Sequence, residues 1–388
     1  MKHAVIITEN KYPCEDAGAI RQHATAKILE ELGYSVIVLG YGTTTNGKVK
    51  VYEGIEYISF RPKSNNKFVR AICRATASDR MMSFLKRNCK NADIILVADV
   101  FANTVQKLNK LYNCKNTLLI HDSVEWFSPE QFAKGEKSFA YKTRNEINTK
   151  LVKEGWRVIA ISSYLEEHFS KQCDKSVRIP VIMDMNSIKY NLNVGEISEK
   201  IKFAYVGSPG KKDYLKNIIE GFELLSKNLL ERAEFHIVGV TEEQLVSMCG
   251  VEKGSISNLK GVLFAHGRLP HDKAIEFVMN ADYTVLLRDE TLRYAKAGFP
   301  TKVVESLSCG TPIVCNLSSD LGLYLTDGEN AYISDNHLPE GLKFALEKAI
   351  NTSDVHRKEM RVNARETAEK YFDYKKYIDV FSEFVKEK

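Results

Sequence analysis

The sequence alternates between short apolar segments and longer segments in which apolar residues recur every three or four positions. In the first half, the apolar segments are residues 3–8, 35–39, 93–98, 117–120 and 157–161. Continuous apolar segments of this length predict strands that are covered on both faces, as in a parallel sheet. Between the first two, residues 19–33 have helical spacing and end at the helix stop Leu32-Gly33. The sequence therefore predicts an α/β fold built from parallel sheets.

The alternation stops at residues 183–200, which are polar and show no periodicity, and then starts again. In the second half, the apolar segments are residues 202–206, 234–238, 262–265, 282–287 and 312–315. A chain of 388 residues is long enough for two domains of ordinary size. We therefore predict four parts: a first Rossmann-like domain at 1–182, a linker at 183–200, a second such domain at 201–354, and C-terminal helices at 355–388 that pack back on the first domain.

Composition narrows the class of protein. Apolar residues make up 44% of the chain and charged residues 27%, which excludes a disordered or low-complexity protein. The eight cysteines form no Cys-x-x-Cys pair, and a chain of this length needs no disulfides, so a reducing compartment fits best. The sequence has no run of about 18 apolar residues. We therefore expect a cytoplasmic protein that is neither exported nor inserted across a membrane.

The net charge of +5 is unevenly distributed along the chain. Residues 1–190 contain 29 Lys and Arg against 20 Asp and Glu, whereas the remaining residues contain 26 against 30. Much of the excess lies at residues 61–90, where Asp79 is the only acidic residue. Within 68–87, four apolar residues fall near one side of a predicted helix, with basic residues around them: Phe68, Ile72, Ala75 and Met82, flanked by Arg70, Arg74 and Lys86. This segment either binds an anionic surface, as at the inner face of the cell membrane, or packs its apolar side inward. The acidic second half and the absence of a nucleic-acid-binding motif argue against nucleic acid as a partner.

The most informative segment is 298–316, in which a Gly-Phe-Pro turn opens a helix that ends at a glycine and leads into a strand. Proline is favoured in the first turn of a helix. The unpaired N–H groups and the positive end of the helix dipole make such a start a seat for a phosphate, here at Gly298–Lys302. Glu305, one turn further on, is placed to accept hydrogen bonds from ribose hydroxyls. The alternative interpretation is an ordinary helix start with a solvated Glu305.

The same segment resembles the nucleotide-sugar site of glycosyltransferase family 4 proteins, above all the capsular and cell-surface polysaccharide transferases. The similarity spans most of the chain and includes residues 205–213 (YVGSPGKKD), 286–288 (LLR) and 325–330 (LTDGEN). The resemblance implies a GT-B fold, in which two Rossmann-like, doubly wound parallel-sheet domains face a central cleft. It also implies a retaining hexosyl transfer from a nucleotide-diphosphate sugar, with a UDP-sugar as the first expectation. The acceptor would be a glycan or a lipid-linked glycan.

The resemblance implies roles for residues of the second domain. It assigns the ribose to Glu305. It assigns the donor diphosphate to ten residues: Gly207, Ser208, Lys211, Lys212, Arg288, Gly298, Phe299, Pro300, Thr301 and Lys302. At two positions the chain departs from the family, which has a glutamate at Ala297 and an arginine at Ser208. Lys212, or Lys211, remains as a cation, and Arg288 would supply the missing guanidinium, whose planar fork matches a phosphate. The alternative interpretations are a solvated pair of turn lysines and a surface ion pair between Arg288 and Asp289.

In the first domain, the resemblance implies that His121 lies beside the donor sugar, because it directly follows the predicted strand 117–120. Glu125 is the candidate base for the acceptor. Gly18 lies in the turn that opens the first helix, where a glycine would let the backbone approach the substrate. For His121 and Glu125 the alternative interpretation is ordinary packing.

No metal or other cofactor is expected. The sequence contains no Asp-x-Asp pair, on which many transferases hold a metal at the diphosphate. Lys and Arg side chains and helix N–H groups can stabilise the departing diphosphate instead. His23, His266 and His271 have no partners at metal-ligand spacing, so we expect them to be structural or solvated.

Three other functions share parts of this pattern. A nicotinamide-dependent reductase needs a Gly-x-Gly-x-x-Gly turn after its first strand, and this chain has none there. A nucleotide-sugar epimerase of GT-B fold would bind the same donor without an acceptor, and the basic segment 61–90 argues against it. A catalytically silent sugar-nucleotide-binding partner of another transferase would explain Ala297 and Ser208.

Overall fold

The computed structural model describes residues 2–13, 15–64, 66–112, 117–186 and 199–386. The chain divides into two compact units: unit 1 comprises residues 1–184 and 373–388, and unit 2 comprises residues 185–372. Both units have sheets dominated by parallel strands, as the alternation of apolar and helical segments predicts. Most of the predicted linker, residues 187–198, lies outside the described residues.

Unit 1 contains a sheet with the strand order of a doubly wound fold. Its strands are β1 (Lys2–Thr8), β2 (Tyr34–Gly40), β3 (Lys50–Tyr52), β4 (Ile55–Ser59), β5 (Ile94–Ala98), β6 (Leu118–Ser123), β7 (Trp156–Ala160) and β8 (Lys175–Arg178). They lie in the order β3–β4–β2–β1–β5–β6–β7–β8, and all neighbours are parallel except β3 and β4. The helices are α1 (Ala17–Glu31), α2 (Lys67–Ala75), α3 (Ala77–Asn88), α4 (Ala102–Tyr112), α5 (Phe139–Glu146) and α6 (Ser163–Ser170).

The predicted strands of the first half form the centre of this sheet. All five residues of β5 are buried, as is β1 from Ala4 onward. Continuous burial is expected, because helices cover both faces of a central parallel strand. Apolar runs do not reveal β3 and β8, because these edge strands are short and carry partly exposed polar residues.

The basic segment 61–90 forms two short helices, α2 and α3, with Thr76 between them. On α2, the side chains of Phe68 and Ile72 are exposed, with relative exposures of 82% and 63%. On α3, Met82 is buried, so the apolar side of this helix packs inward. The surface-lying helix that the sequence predicts over 68–87 is therefore α2 alone. Across the described part of the chain, no helix combines the length and the apolar character needed to cross a membrane.

Unit 2 repeats the doubly wound order. Its strands are β9 (Ile201–Val206), β10 (Ala233–Val238), β11 (Leu263–Ala265), β12 (Tyr283–Leu286), β13 (Ile313–Asn316) and β14 (Ala331–Ser334). They are parallel and lie in the order β11–β10–β9–β12–β13–β14. The helices are α7 (Leu215–Glu223), α8 (Lys227–Glu231), α9 (Glu242–Cys249), α10 (Lys253–Asn258), α11 (His271–Asn280), α12 (Arg293–Ala297), α13 (Thr301–Ser308), α14 (Pro339–Asn351) and α15 (Asp354–Tyr371).

The C-terminal segment, predicted to pack back on the first domain as a whole, is divided between the two units. Helix α15 belongs to unit 2, where it buries Met360 and Ala364. Residues from 373 onward belong to unit 1, where the Tyr374 amide donates to the Met183 carbonyl at 3.1 Å. The last helix, α16 (Ile378–Val385), adds Phe381 to the core of unit 1. The return to the first domain is therefore limited to residues 373–388, because the apolar side of α15 is already covered by unit 2.

Candidate functional site

A cluster of charged side chains lies at the topological switch point of unit 2. β9 and β12 are neighbours in this sheet, and the strand order runs outward from them in opposite directions. In doubly wound folds, ligands bind outside the carboxyl ends of the two strands at such a point. The loop that follows β9 contributes Asp213, the segment that follows β12 contributes Arg288, and the first turn of α13 contributes Lys302. The three side chains meet, and Tyr205 of β9 joins them.

Asp213 is the centre of this group, which we call the Asp213 cluster (Tyr205, Asp213, Arg288 and Lys302). Its side chain is only 2% exposed. One carboxylate oxygen accepts from Arg288 Nε at 3.0 Å, and the other accepts from Lys302 Nζ and from the Tyr205 hydroxyl, both at 2.8 Å. Charge-assisted hydrogen bonds of this kind hold both cations in fixed positions. The cluster therefore presents two positive charges against one negative charge.

The electrostatics of the cluster follow from burial and from these contacts. Burial alone would raise the pKa of Asp213, but the charges of Lys302 and Arg288 and the hydrogen bonds from Lys302 and Tyr205 outweigh it and hold the pKa below its ordinary value. Burial, together with the neighbouring Asp213 carboxylate, raises the pKa of Tyr205 well above 10. Asp213 is thus ionised and Tyr205 is a neutral donor at physiological pH.

Gly207 is a glycine because the Lys302 side chain lies against it. Its φ is +130°, which side chains rarely tolerate, and a Cβ at this position would lie 2.6 Å from Cε of Lys302. The close approach of Lys302 to the backbone after β9 therefore depends on the Val206-Gly207 turn. The contact explains physically why a glycine follows this strand.

Helix α13 begins at the predicted turn. Pro300 is its N-cap residue and Thr301 its first residue, so the unpaired amides of the first turn lie at residues 301 and 302. Gly298 is buried and its amide donates to the Tyr294 carbonyl at 3.0 Å, while the Phe299 ring packs against Tyr324 and Phe372. Gly298 and Phe299 therefore support the turn. The amides of Thr301 and Lys302 are the ones available to an anion.

The backbone of Arg288 is held by two hydrogen bonds with the Asn316 side chain. Its amide donates to Oδ1 of Asn316 at 3.0 Å, and Nδ2 of Asn316 donates to its carbonyl at 2.7 Å. Ser208 and Lys211 are exposed in the preceding loop, and the Lys212 carbonyl accepts from the Tyr294 hydroxyl at 2.9 Å. Asp213 accepts from Lys302 and Arg288, and these two side chains supply the cations of the cluster.

Glu305 lies one turn into α13, as the sequence predicts, with a half-buried side chain. Its Oε1 lies 3.8 Å from Nε2 of His271, the first residue of α11. This distance is too long for a hydrogen bond. His271, which we expected to be structural or solvated, therefore stands next to the proposed ribose-binding carboxylate.

Asp289 and Glu290, which follow Arg288, form a second polar group together with His337. Asp289, Glu290 and His337 each offer an atom that could bind a metal, and these three atoms lie within 4.8 Å of one another. The carboxylates also have protein partners: Nδ1 of His337 lies 2.9 Å from Oε2 of Glu290, and Asp289 accepts from the amide and the hydroxyl of Thr291. The expectation of a metal-independent site stays a prediction, and this group is where a metal would be tested.

In unit 1, His121 lies inside a strand and not after one. The sequence predicts a strand end at residue 120, but β6 continues to Ser123 because Asp122, although charged, is buried against Arg21 of α1. His121 is buried as well, and burial lowers its pKa to about 4, so the ring is neutral at physiological pH. Its Nδ1 has no hydrogen-bond partner among the described residues. The predicted contact with a donor sugar stays a prediction.

The other two candidates of unit 1 have structural contacts. The Glu125 carbonyl accepts from Nδ2 of Asn148, and its side chain is half-buried. A Cβ at Gly18 would lie 2.1 Å from Nδ2 of Asn10, so the glycine makes room for Asn10. We predicted that Gly18 lets substrate approach the backbone, whereas the described neighbour at this position is a side chain of the protein itself.

Sequence reasoning missed Asp213 as a functional residue. Asp213 was part of the segment 205–213 but follows two lysines, which makes it look like a solvated turn residue. Lys302 was assigned through its backbone amide only. A signal was present in the sequence, because a buried Tyr205 needs a hydrogen-bond partner and the next acidic residue along the chain is Asp213.

Comparison with known proteins relates unit 2 to a family. Residues 190–370, somewhat less than half of the chain, match the family model described as Glycosyl transferases group 1. The match lies wholly within unit 2, so the similarity to this family concerns that unit. The chain is also 25% identical over 260 residues to an uncharacterized glycosyltransferase of Methanocaldococcus jannaschii. That alignment covers 64% of this chain and 63% of the relative, less than two thirds of its length.

Solved structures show the same fold over the whole chain. A sucrose-phosphate synthase from Thermosynechococcus elongatus superposes with a TM-score of 0.75 at 13% identity, covering 98% of each chain. HepE of Anabaena, in complex with UDP and glucose, superposes with a TM-score of 0.67 at 13% identity over 98% of each chain. At these identities the likeness concerns the fold. The fold of this protein is GT-B, as the sequence resemblance implied.

Proposed function

We propose that this chain is a retaining glycosyltransferase that moves a hexosyl group from a nucleotide-diphosphate sugar to a glycan or lipid-linked acceptor in surface polysaccharide synthesis. The observation that carries the proposal is the Asp213 cluster. It combines two fixed cations with the first turn of α13 at the switch point of a unit that matches glycosyl transferases group 1. The retaining outcome and the polysaccharide role follow from the resemblance of residues 298–316 to family 4 transferases.

The chemistry of the leaving group explains why such a cluster is useful. When the bond between the anomeric carbon and the diphosphate breaks, negative charge grows on the departing oxygen. Lys302 and Arg288 already stand in position, because Asp213 holds both of them before any ligand arrives. Preorganised charges stabilise a transition state without the cost of moving into place. These side chains and the amides of residues 301 and 302 would therefore stabilise the diphosphate without a metal.

The donor is proposed to be a UDP-sugar. The GT-B neighbour HepE is described in complex with UDP and glucose, which supports this choice of donor. Glu305, with His271 at 3.8 Å, has a half-buried carboxylate that can accept from two vicinal hydroxyls of a ribose. No carboxylate is available at the position of Ala297, whose side chain is buried in α12. Contacts to the donor sugar would therefore come from other residues, and His121 is the candidate in unit 1.

A nucleotide panel tests the donor site. A ligand that binds only the native state raises the melting temperature, so UDP, GDP, CDP and dTDP should be compared on the full chain. We expect UDP to give the largest rise and Glu305→Ala to abolish most of it. Glu366→Ala, which removes an exposed helical carboxylate in the same unit, is the matched control and should behave like the wild type. If none of the nucleotides raises the melting temperature, the proposed donor site is wrong.

A catalytically silent sugar-nucleotide-binding protein is the second candidate, and the buried Ala297 favours it. The two functions differ in turnover and not in binding. A transferase should release UDP from UDP-glucose, UDP-galactose or UDP-N-acetylglucosamine, at least by slow hydrolysis, and the release should fall when Lys302 is replaced by Met. Binding of UDP without release from any of these donors would favour the silent protein.

The acceptor is proposed to be reached at a membrane surface through α2. Lys67 and Arg70 lie on the same short helix as the exposed Phe68 and Ile72, which combines positive charge with apolar side chains. Each basic residue near an anionic surface contributes about 1 kcal/mol to binding. A lipid-linked acceptor would be presented on such a surface.

Vesicle flotation tests the membrane surface. We expect the full chain to float with vesicles that contain phosphatidylglycerol and not with vesicles of phosphatidylcholine alone. The double variant Phe68→Ser/Ile72→Ser should lose this binding, whereas Val355→Ser, which removes an exposed apolar side chain of unit 2, should retain it. Failure of the wild type to float with either vesicle would contradict a membrane role for α2.

A further inference from the structure

Unit 1 has a switch point of its own, and two carboxyl groups lie on it. β1 and β5 are neighbours at the centre of the sheet, and the strand order runs outward from them in opposite directions. Thr8 and Ala98, the last residues of these strands, are paired in the register. The next residues are Glu9 and Asp99, so their backbones are adjacent at the carboxyl edge. This is the part of a doubly wound sheet where ligands bind.

The contacts of the Glu9–Asp99 pair hold both residues in place. The Glu9 amide donates to the Asp99 carbonyl at 3.4 Å, and Oε1 of Glu9 accepts from the Phe101 amide at 3.1 Å. Nη1 of Arg144 lies 3.2 Å from Oδ1 of Asp99. Asp99 has a φ of +48°, a backbone conformation that is uncommon for residues other than glycine. The surrounding structure therefore imposes the position of Asp99.

A third polar group at this edge lacks a partner. Asp122 of β6 is paired with Ala98 in the register, so Ser123 lies next to Asp99 along the edge. Ser123 is 1% exposed, and its hydroxyl has no hydrogen-bond partner among the described residues. A buried hydroxyl without a partner is costly in a folded protein, and a ligand group at this edge would supply the missing hydrogen bond. This observation is independent of the two carboxyl groups.

The protonation of the pair defines what it can bind. Burial raises the pKa of Glu9 to about 8, and the charge of Asp99 adds to this effect, while the charges of Arg74 on α2 and Arg144 on α5 and the Phe101 amide oppose it. At neutral pH, Glu9 is therefore largely a neutral carboxylic acid beside an ionised Asp99. Such a pair can donate a hydrogen bond through Glu9 and accept others through Asp99.

Charge excludes two classes of ligand. A metal ion would require both carboxyl groups to be ionised, and the guanidinium groups of Arg74 and Arg144 oppose it. A phosphate is disfavoured because the Asp99 carboxylate is 38% exposed and is paired with one guanidinium, that of Arg144, whereas Asp213 is 2% exposed and is paired with two cations. A neutral ligand with several hydroxyl groups fits, because hydroxyls donate and accept at once.

We propose that Glu9 and Asp99, with the Ser123 hydroxyl, bind the hydroxyl groups of the sugar that the acceptor presents to unit 1. This inference rests on the proposed transferase function, which requires a sugar acceptor. It places the acceptor at the switch point of unit 1 and replaces Glu125 as the main carboxyl group for that sugar. Glu9 acts as a positioning residue that donates to an acceptor hydroxyl.

Saturation-transfer NMR on the full chain tests the proposal, with the methyl glycosides of glucose, galactose, mannose and N-acetylglucosamine as probes. We expect the wild type to bind at least one of them at about pH 6.5 and several-fold more weakly at about pH 9.5, where Glu9 is ionised. Glu9→Gln should bind equally at both values, because the amide keeps a donor that does not titrate. Asp99→Asn should bind more weakly at both, and asparagine tolerates the left-handed backbone of this position.

Two further variants separate binding from folding. Ser123→Ala removes the buried hydroxyl, and we expect weaker glycoside binding with an unchanged or raised melting temperature. Glu154→Gln removes an exposed carboxylate of unit 1 and is the matched control, for which we expect wild-type binding. In wild-type protein labelled with ¹³C at the Glu carboxyl carbons, the resonance that is missing from Glu9→Gln should titrate near pH 8. Titration near 4.5, or glycoside binding that Glu9→Ala and Asp99→Ala leave unchanged, would overturn the proposal.

The outcome also distinguishes this proposal from the proposed function. If UDP raises the melting temperature but no glycoside binds, the sugar site at Glu9 and Asp99 is wrong and the donor site stands. If a glycoside binds through Glu9 but no nucleotide does, the sugar site stands and the transferase function fails.

Discussion

The switch points of the two units have the same strand topology, but the charges around their carboxyl groups shift the carboxyl pKa in opposite directions. In unit 2, one carboxylate, Asp213, is surrounded by Lys302 and Arg288, which hold its pKa below the ordinary value. In unit 1, Glu9 stands beside a second carboxylate, Asp99, and its pKa is raised to about 8. We propose that the first site binds an anion and that the second binds a neutral group with several hydroxyls. A doubly wound sheet supplies the location, and the charged residues at its carboxyl edge supply the chemistry.

The two sites also differ in whether their polar side chains already have hydrogen-bond partners within the protein. The cations of unit 2 are bonded before a ligand arrives, so a diphosphate would meet charges that are already in place. The Ser123 hydroxyl of unit 1 has no described partner until a ligand supplies one. Binding to the first site would therefore depend on charge, and binding to the second on protonation. Each prediction below changes one side of this comparison.

The largest effect is expected from Asp213→Ala. Removing the carboxylate leaves Lys302, Arg288 and Tyr205 without their shared acceptor in a buried site, and breaking a buried charge pair costs about 3–5 kcal/mol. Urea denaturation at neutral pH should show this loss of unfolding free energy. Because the pKa of Asp213 is lowered in the folded state, its stabilising contribution is present above the ordinary carboxyl pKa and is lost as the pH falls through the lowered value.

Asp79→Ala is the matched control for that prediction. Asp79 pairs with Lys107 at 2.5 Å on the surface, where its side chain is 66% exposed. Solvent screening limits such a pair to less than about 1 kcal/mol. Equal losses of unfolding free energy for both variants would contradict the central role of Asp213.

A smaller effect is expected from Lys302→Met, which removes the ammonium and keeps most of the apolar stem. A hydrogen bond to a charged group contributes about 2 kcal/mol, so the affinity for UDP should fall roughly 30-fold. Calorimetry or the nucleotide-induced rise in melting temperature measures it. Lys211→Met, in an exposed position of the preceding loop, should cost much less. If only the Lys211 variant loses affinity for UDP, the cation that binds the diphosphate is Lys211, as the sequence suggested, and not Lys302.

The third prediction concerns the pH dependence of stability in unit 1. A carboxyl group with a raised folded pKa binds a proton in the folded state when the unfolded state has lost it. The Glu9 side chain therefore makes the folded state less stable as the pH rises from about 4.5 to about 8. Glu9→Gln should remove this dependence and exceed the wild type by about 1–2 kcal/mol at alkaline pH, after allowance for partial exposure. A parallel pH dependence in both proteins would contradict the raised pKa.

The sequence was sufficient for the fold because central parallel strands must be apolar on both faces. The segments 93–98 and 202–206 show this directly, and both are buried strands at the centre of their sheets. The same rule failed at the end of β6. His121, Asp122 and Ser123 are polar but buried, and Asp122 is tolerated there because Arg21, distant in sequence, neutralises it. A local pattern carries no information about such a distant partner.

The site was predicted only in part for a similar reason. Residues 298–305 are contiguous, so a helix start and its carboxylate one turn later can be read from spacing alone. The Asp213 cluster joins residues from β9, the loop that follows it, the segment after β12 and α13, and the Glu9–Asp99 pair joins the ends of two strands. Their chemistry depends on which strands become neighbours. The strand order is a property of the fold and not of any segment.

The smallest effect is expected from removing metal ions. This experiment tests whether the side chains of unit 2 alone supply the positive charge that binds a diphosphate. If Lys302, Arg288 and the first turn of α13 supply all the positive charge that a diphosphate needs, EDTA should leave the UDP-induced rise in melting temperature unchanged. Asp289 and Glu290, which follow Arg288, and His337, which lies close to them, offer the alternative, because a divalent ion among them would bring a second source of charge. If a divalent ion does bind among these residues, His337→Gln should reduce the UDP-induced rise in melting temperature as EDTA does. A rise that disappears with EDTA in the wild type, and that no longer responds to added Mg²⁺ or Mn²⁺ in His337→Gln, would show that the preorganised side chains do not suffice for binding.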